Sequence, residues 1–270
     1  MDSYKSITVD QQENLRWIVL ARPTALNAFD PVLWTELEHA LCDASADPTT
    51  RCVAVKGGGA NFSAGYDLPS ALNELEGATP AMIRTHIERG NRACWAAWRL
   101  GKPVIAAIEG YCLGGAFEFA MACDFVLTDV TGRFGEPEGR VAASAPFLVT
   151  PWVMGMRHAK EILLAGDIVG AERAERMGIV NEVCAAGGLD DCVSRWSRKL
   201  AGFDAAVWAA NKRAVNRSYE VMGFNDAVAM GEDAFVELCF APSPFRDELT
   251  RRVKTDGFSA AMKWVQAQYE

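Results

Sequence analysis

Five consecutive apolar residues, Val104-Ile105-Ala106-Ala107-Ile108, are closed by Glu109-Gly110. The run is too short for a helix and does not alternate, so it reads as a strand covered on both faces. Trp17–Ala21, Cys52–Val55, Phe125–Leu127 and Ile179–Val183 have the same character. Helical patterns lie between them. Asp30-Pro31 supplies an N-cap with proline at the first helical position, and Leu33, Trp34, Leu37 and Leu41 follow at helical spacing as far as Ala44. Thr79-Pro80 opens a longer helix to about Arg99, and residues 115–122 read as a short one. Strands separated by helices pair in parallel through right-handed crossovers. An α/β core is therefore expected over residues 1–188. Beyond it the strand signals stop. Helices are expected at 189–201, 205–221, 225–239 and 258–268, making 189–270 an all-α region. That region carries Trp196, Trp208, Phe235, Phe240, Phe258 and Trp264, an apolar surface that needs the core or another subunit to cover it.

With 270 residues, half of them hydrophobic, the chain can bury the core of one large domain or two small ones. The formal charge of −8 disfavours nucleic acid as a partner. The eight cysteines include no C-x-x-C pair, and His39, His86 and His158 fall in no metal-ligand spacing. Reduced, buried thiols and no metal are expected. Met1-Asp2-Ser3-Tyr4-Lys5 has no signal-peptide character, and no apolar run approaches the roughly 18 residues of a membrane span. A cytoplasmic protein without membrane contact is expected.

Two glycine-containing segments follow strands. Gly57-Gly58-Gly59-Ala60-Asn61-Phe62-Ser63-Ala64-Gly65-Tyr66-Asp67-Leu68 is neither a P-loop nor a G-x-G-x-x-G turn. It reads as a loop whose small residues allow close backbone approach. The second is Leu113-Gly114-Gly115 with the helix that follows. Backbone N–H groups at a helix start lack intrahelical partners, so an oxyanion site can be built there from backbone alone. Glu118 lies inside this helix among Ala116, Phe117, Phe119, Ala120, Met121 and Ala122. A carboxylate in such surroundings is costly unless paired or used. A second acidic cluster, Glu136-Pro137-Glu138, sits at another turn. Two carboxylates in one pocket can divide acid and base work.

These residues carry a resemblance over essentially the whole chain. Arg22-Pro23-Thr24-Ala25-Leu26-Asn27-Ala28, Phe62-Ser63-Ala64-Gly65-Tyr66-Asp67-Leu68, Leu113-Gly114-Gly115-Ala116-Phe117-Glu118 with Cys123-Asp124, Phe134-Gly135-Glu136-Pro137-Glu138, and Gly178-Ile179-Val180-Asn181 stand in the order and spacing of the crotonase superfamily. In particular the chain resembles the enoyl-CoA hydratases. The resemblance implies a spiral of β-β-α turns, with the helical region supporting a homotrimer or dimer of trimers. It implies an acyl-CoA substrate, coenzyme A entering only as part of the thioester and no separate cofactor. It places the oxyanion-holding N–H groups on Tyr66 and Gly115. The acid–base pair falls on Glu118, activating water, and Glu138, exchanging the α-proton. CoA contacts fall near Arg22, Leu26, Ala64, Asp67, Leu68 and Tyr111. Where the family pattern is glycine-rich after the second glutamate, this chain has Gly139 to Trp152 with bulkier residues, which implies an unusual acyl group. The leading expectation is a lyase that hydrates a 2-enoyl-CoA in fatty acid metabolism. A double-bond isomerase, an acyl-CoA hydrolase or carbon–carbon lyase on the same scaffold, and non-catalytic binding of acyl-CoA or RNA are the alternatives.

Overall fold

The structure is a computed structural model that describes residues 4–269. The reading of Met1 to Ser3 therefore lies outside the described residues. Strands β1 (Ile7–Gln12), β2 (Leu15–Leu20), β3 (Cys52–Gly57), β4 (Val104–Ile108), β5 (Tyr111–Leu113), β6 (Phe125–Asp129), β7 (Arg133–Gly135), β8 (Val169–Gly170) and β9 (Glu182–Cys184) form two sheets. The larger runs β1-β2-β3-β4-β6-β9 and the smaller β5-β7-β8. The helices are α1 (Pro31–Ala46), α2 (Leu68–Leu75), α3 (Pro80–Arg99), α4 (Gly115–Ala122), α5 (Thr150–Val153), α6 (Met156–Lys160), α7 (Ala171–Met177), α8 (Leu189–Ala201), α9 (Ala205–Val221), α10 (Phe224–Phe240), α11 (Pro244–Asp256) and α12 (Phe258–Gln266). Successive turns place one strand in each sheet: β4 then β5 before α4, and β6 then β7.

The apolar strands are covered on both faces. Val104, Ala106 and Ile108 join the core formed with α1, α3 and α4. Ile105 and Ala107 point the other way, against Leu189, Val193 and Leu200 of α8. Strand β1 differs from the expected parallel, buried pattern. It pairs antiparallel with β2, and only Ile7 is buried, so it carried too little apolar signal to be recognised. The strand expected at Ile179–Val183 begins at Glu182, because Ile179 and Val180 belong to the turn closing α7. The short strands of the second sheet and helices α2 and α11 also went unrecognised. The strands are two or three residues long, too short to show a period, and α11 carries few apolar residues; α2 does show Leu68, Ala71, Leu72 and Leu75 at helical spacing, a signal left unread.

The cysteine expectation needs correction at two positions. Cys184 and Cys192 are disulfide-bonded, with Cα atoms 6.5 Å apart, and join β9 to α8. Glu182 lies with them in a cluster of metal-ligand type. Its carboxylate is taken by Arg195 and by Trp196 Nε1 at 2.8 Å, and a disulfide offers a metal no thiolate.

The C-terminal helices pack back onto the same chain. Phe224 is fully buried among Trp95, Trp98, Phe147 and Trp152. Lys212 of α9 reaches into the core, where its Nζ donates to Asp124 Oδ2 at 2.7 Å and to Ala97 O at 3.0 Å. Burial pushes the Asp124 carboxyl up to about 6 even with Lys212 beside it. Removing one partner leaves a buried charge uncompensated. Lys212→Met should cost about 3 kcal/mol of stability at neutral pH. The cost should shrink at acid pH, where Asp124 takes a proton, as read from denaturant midpoints.

Candidate active site

The site forms where three segments are tied together by backbone. Ser63 N donates to Tyr111 O at 2.7 Å, and Leu113 N to Ser63 O at 3.1 Å, so the loop before α2 runs beside β5. Gly65 lies at φ +89°, and a Cβ there would stand 2.5 Å from Leu113 O. Only glycine lets the loop approach this closely. On the other side β5 pairs in parallel with β7, and Gly114 N donates to Gly135 O at 2.9 Å. That register delivers Glu136-Pro137-Glu138 to the start of α4.

Gly114, at φ +55°, caps α4, and a methyl there would overlap Glu138 Oε1. Gly115 is the first residue of α4 and lies directly under the Tyr66 ring. Among the described residues, neither the Tyr66 N–H nor the Gly115 N–H has a hydrogen-bond partner. Both unused donors thus come from segments held against β5.

Three carboxyl groups converge nearby. Glu118 is 1% exposed, and its Oε1 accepts from Phe147 N at 2.7 Å. Glu136 is equally buried, with Oε2 accepting from Thr150 Oγ1 at 2.8 Å. Glu138 sits on the short helical turn Pro137–Val141. Glu136 Oε1 and Glu138 Oε2 are buried without a partner. Burial, then the charges of Glu136 and Glu138, push the Glu118 carboxyl well above the usual range. Burial pushes Glu138 up to about 7. Glu136 is also raised, by burial and by Glu138. Such a cluster holds protons at neutral pH and titrates as a unit.

A cavity of about 350 Å³ adjoins this cluster. Tyr66, Gly114 and Glu138 line it, with Ala64 and Leu68 from the loop and α2. Val141 to Ser144 form another part, and α10 to α12 contribute Phe235, Leu249 and Phe258. Glu118 lies behind the wall rather than on it. The expected CoA-contacting residues occupy an adjacent patch. Arg22 is held between Asp67 at 3.0 Å and Asp30 at 3.2 Å, and also donates to Ala28 O. Leu26 is exposed, and its O accepts from Ala64 N at 3.0 Å. Asp67 caps α2 through Ser70 N at 3.1 Å. The Tyr111 side chain is exposed and does not line the cavity; its backbone meets Ser63 and Asn61.

Sequence reading missed Glu136 as a member of the carboxyl cluster. The signal was its place between the buried Phe134-Gly135 end of β7 and Pro137. It also passed over His86, whose position among Ile83, Ile87 and Gly90 marks it as a polar group on the buried face of α3.

The β-β-α spiral, followed by helices that return to the core, is the crotonase fold. A solved enoyl-CoA hydratase/isomerase from Xanthobacter autotrophicus Py2 superposes with a TM-score of 0.95 at 33% identity, covering 99% of this chain and all of that one. The sequence pattern of the enoyl-CoA hydratase/isomerase family matches residues 10–241, and the chain belongs to that family. The crotonyl-CoA hydratase of Syntrophomonas wolfei is 28% identical over 92% of this chain and 95% of its own. The short-chain-enoyl-CoA hydratase of Clostridium acetobutylicum is 28% identical over 94% and 97%. The chain is an enzyme of the enoyl-CoA hydratase type.

Proposed function

We propose that the protein adds water across the 2,3 double bond of an acyl-CoA thioester. The observation that carries this reading is the meeting of two unused backbone N–H groups with a raised pair of carboxyls beside an apolar cavity. The thioester oxygen would accept from Tyr66 N–H and Gly115 N–H. Water between the two glutamates loses a proton to Glu118, and its oxygen bonds to C3. The C2=C3 π pair shifts to form a C1=C2 bond and the carbonyl π pair moves onto the thioester oxygen, where the two donors stabilise the negative charge. Collapse of this enolate takes a proton from Glu138 to C2. One proton has then passed from Glu138 to Glu118, and the pair ends with the count it began with. No separate cofactor is needed in this scheme. The phenol of Tyr66, raised by burial and by the charges of Glu118, Cys94 and Glu138, stays neutral and acts as a wall.

The CoA moiety would lie along Leu26, Ala64, Asp67 and Leu68, with the Tyr111 edge nearby. Arg22 is already neutralised by two carboxylates, so its part is to brace this patch rather than to supply a free charge. Val207, Val215 and Val221 of α9, with Met222 just after it, remain exposed, which supports assembly as a homotrimer or dimer of trimers. The acidic chain and the apolar cavity do not favour nucleic acid or membrane as a partner.

The test is a panel of straight, branched and cyclic 2-enoyl-CoA thioesters followed by loss of the conjugated absorbance. Hydration of at least one supports the reading, and none being turned over defeats it. An isomerase would instead raise the absorbance with 3-enoyl thioesters. It would also keep that activity in Glu118→Gln, because a single carboxylate can shuttle the proton.

A further inference from the structure

The cavity wall is apolar over most of its surface, with Leu72, Leu75, Leu238, Leu249 and Met262 among its residues. His86 interrupts it. This residue is 8% exposed, lies on α3 with Ile83 and Ile87, and lines the cavity. Its Nδ1 stands 2.9 Å from Glu74 Oε2, and Arg89 Nη1 holds the same oxygen at 2.7 Å. The imidazole ring lies 5.9 Å from the Tyr66 ring, so it stands beyond the residue that brings one oxyanion donor.

Glu74 accepts from Nδ1–H and so fixes which nitrogen carries the proton. Nε2 has no partner among the described residues and belongs to a ring that lines the cavity. A plain alkyl chain filling this space would leave Nε2 unpaired and shut off from water. A site with buried polar groups discriminates strongly against a ligand that cannot pair them.

We propose that this cavity selects 2-enoyl thioesters whose acyl group bears an oxygen beyond the double bond, as a hydroxyl or a carboxylate, and that His86 Nε2 is its hydrogen-bonding partner. The inference rests on the hydratase reading and names the substrate class within it. A hydroxyl would donate to the neutral imidazole. A carboxylate would accept from the imidazolium.

Calorimetric titration with saturated acyl-CoA thioesters tests this without turnover. Members of equal chain length end in methyl, hydroxyl or carboxylate, at three chain lengths. At one length or more, an oxygenated member should bind at least about tenfold tighter than its methyl counterpart. Which one does so tells hydroxyl from carboxylate. His86→Leu should abolish that ratio, and His86→Gln, which sets an amide near the Nε2 position, should restore part of it. Equal or tighter binding of the methyl members at every length overturns the proposal, as does a ratio that survives His86→Leu. If the variants do not fold, the wild-type ratio alone decides. Failure of the hydratase reading looks different: thioesters bind, but no enoyl-CoA of either kind is turned over.

Discussion

Glu138→Gln is expected to hydrate 2-enoyl-CoA thioesters at about a thousandth of the wild-type kcat, with KM little changed. Positioned acid–base groups contribute about 10²–10⁴-fold, and an amide can neither give nor take the proton at C2. Glu118→Gln should fall by a similar factor, since the attacking water then loses its base. Combining the two should cost far less than the product of the single effects, because each removal already breaks the same proton transfer. Steady-state kinetics of the two single variants and the double variant check this. Retention of more than a tenth of the activity in either single variant would remove that residue from the proposed role.

The pH profile follows from the proton count. Hydration needs Glu118 ionised with Glu138 protonated, and dehydration needs the reverse. Both directions therefore require one proton on the pair. With Glu138 raised to about 7 and Glu118 raised well above its ordinary value, the pair carries two protons at acid pH. No base is then available. kcat/KM should rise as pH increases through about 7, and the same limb should appear in both directions. Stability runs the opposite way. Between the ordinary value of 4.5 and about 7, the folded protein holds a proton on Glu138 that the unfolded chain has released. Folded stability is therefore lost as pH rises across that window. Glu138→Gln removes the loss, and after allowance for partial exposure should add about 2 kcal/mol above pH ~7. In melting temperature that is a rise of about 4 °C in alkaline buffer and little in acid.

The parts most legible in the sequence were those with a strong local signal. The N-cap and proline pairs at Asp30-Pro31 and Thr79-Pro80 placed α1 and α3, and both caps are made: Asp30 accepts from Leu33 N and Thr79 from Met82 N. The uniformly apolar β4 announced a sheet covered twice, which α8 and the α1–α3 layer supply. Glu118 stood out because every neighbour on its helix is apolar, and it is buried as that context demands. The meeting of Glu118 with Glu136 and Glu138 was not legible. It depends on the pairing of β5 with β7, strands of three residues whose register no local pattern fixes. His86 was invisible for a related reason. A histidine on a helix face acquires meaning only when α2 brings Glu74 across to it. The Cys184–Cys192 pairing likewise depends on how α8 returns over β9, which a spacing of eight residues does not reveal.

Gly115→Ala should be about as damaging as losing a glutamate, although it adds one methyl and removes no reacting group. That methyl would stand 2.5 Å from Tyr66 Cε2 and 3.2 Å from Trp34 Cζ2. Trp34 cannot yield, since it is 2% exposed and packed edge-on against Phe29 at 4.2 Å. The Tyr66 ring is packed between Trp34 and His86, so the overlap is expected to push the loop that carries it away from α4, and its backbone N–H with it. One substitution displaces both proposed oxyanion donors relative to each other. Each such donor is worth about 10²–10³ in kcat, and the geometry of the pair matters to a fraction of an ångström. The expected loss is about 10³-fold in kcat, with the acid limb of the pH profile unmoved because the glutamates are untouched. The double variant Gly115→Ala/Tyr66→Ala separates displacement from simple misfolding. Removing the ring relieves the overlap and leaves the Tyr66-position N–H in place, so at least about tenfold of the lost kcat should return. No recovery in a folded double variant would mean that the Tyr66 and Gly115 N–H groups do not hold the thioester oxygen together.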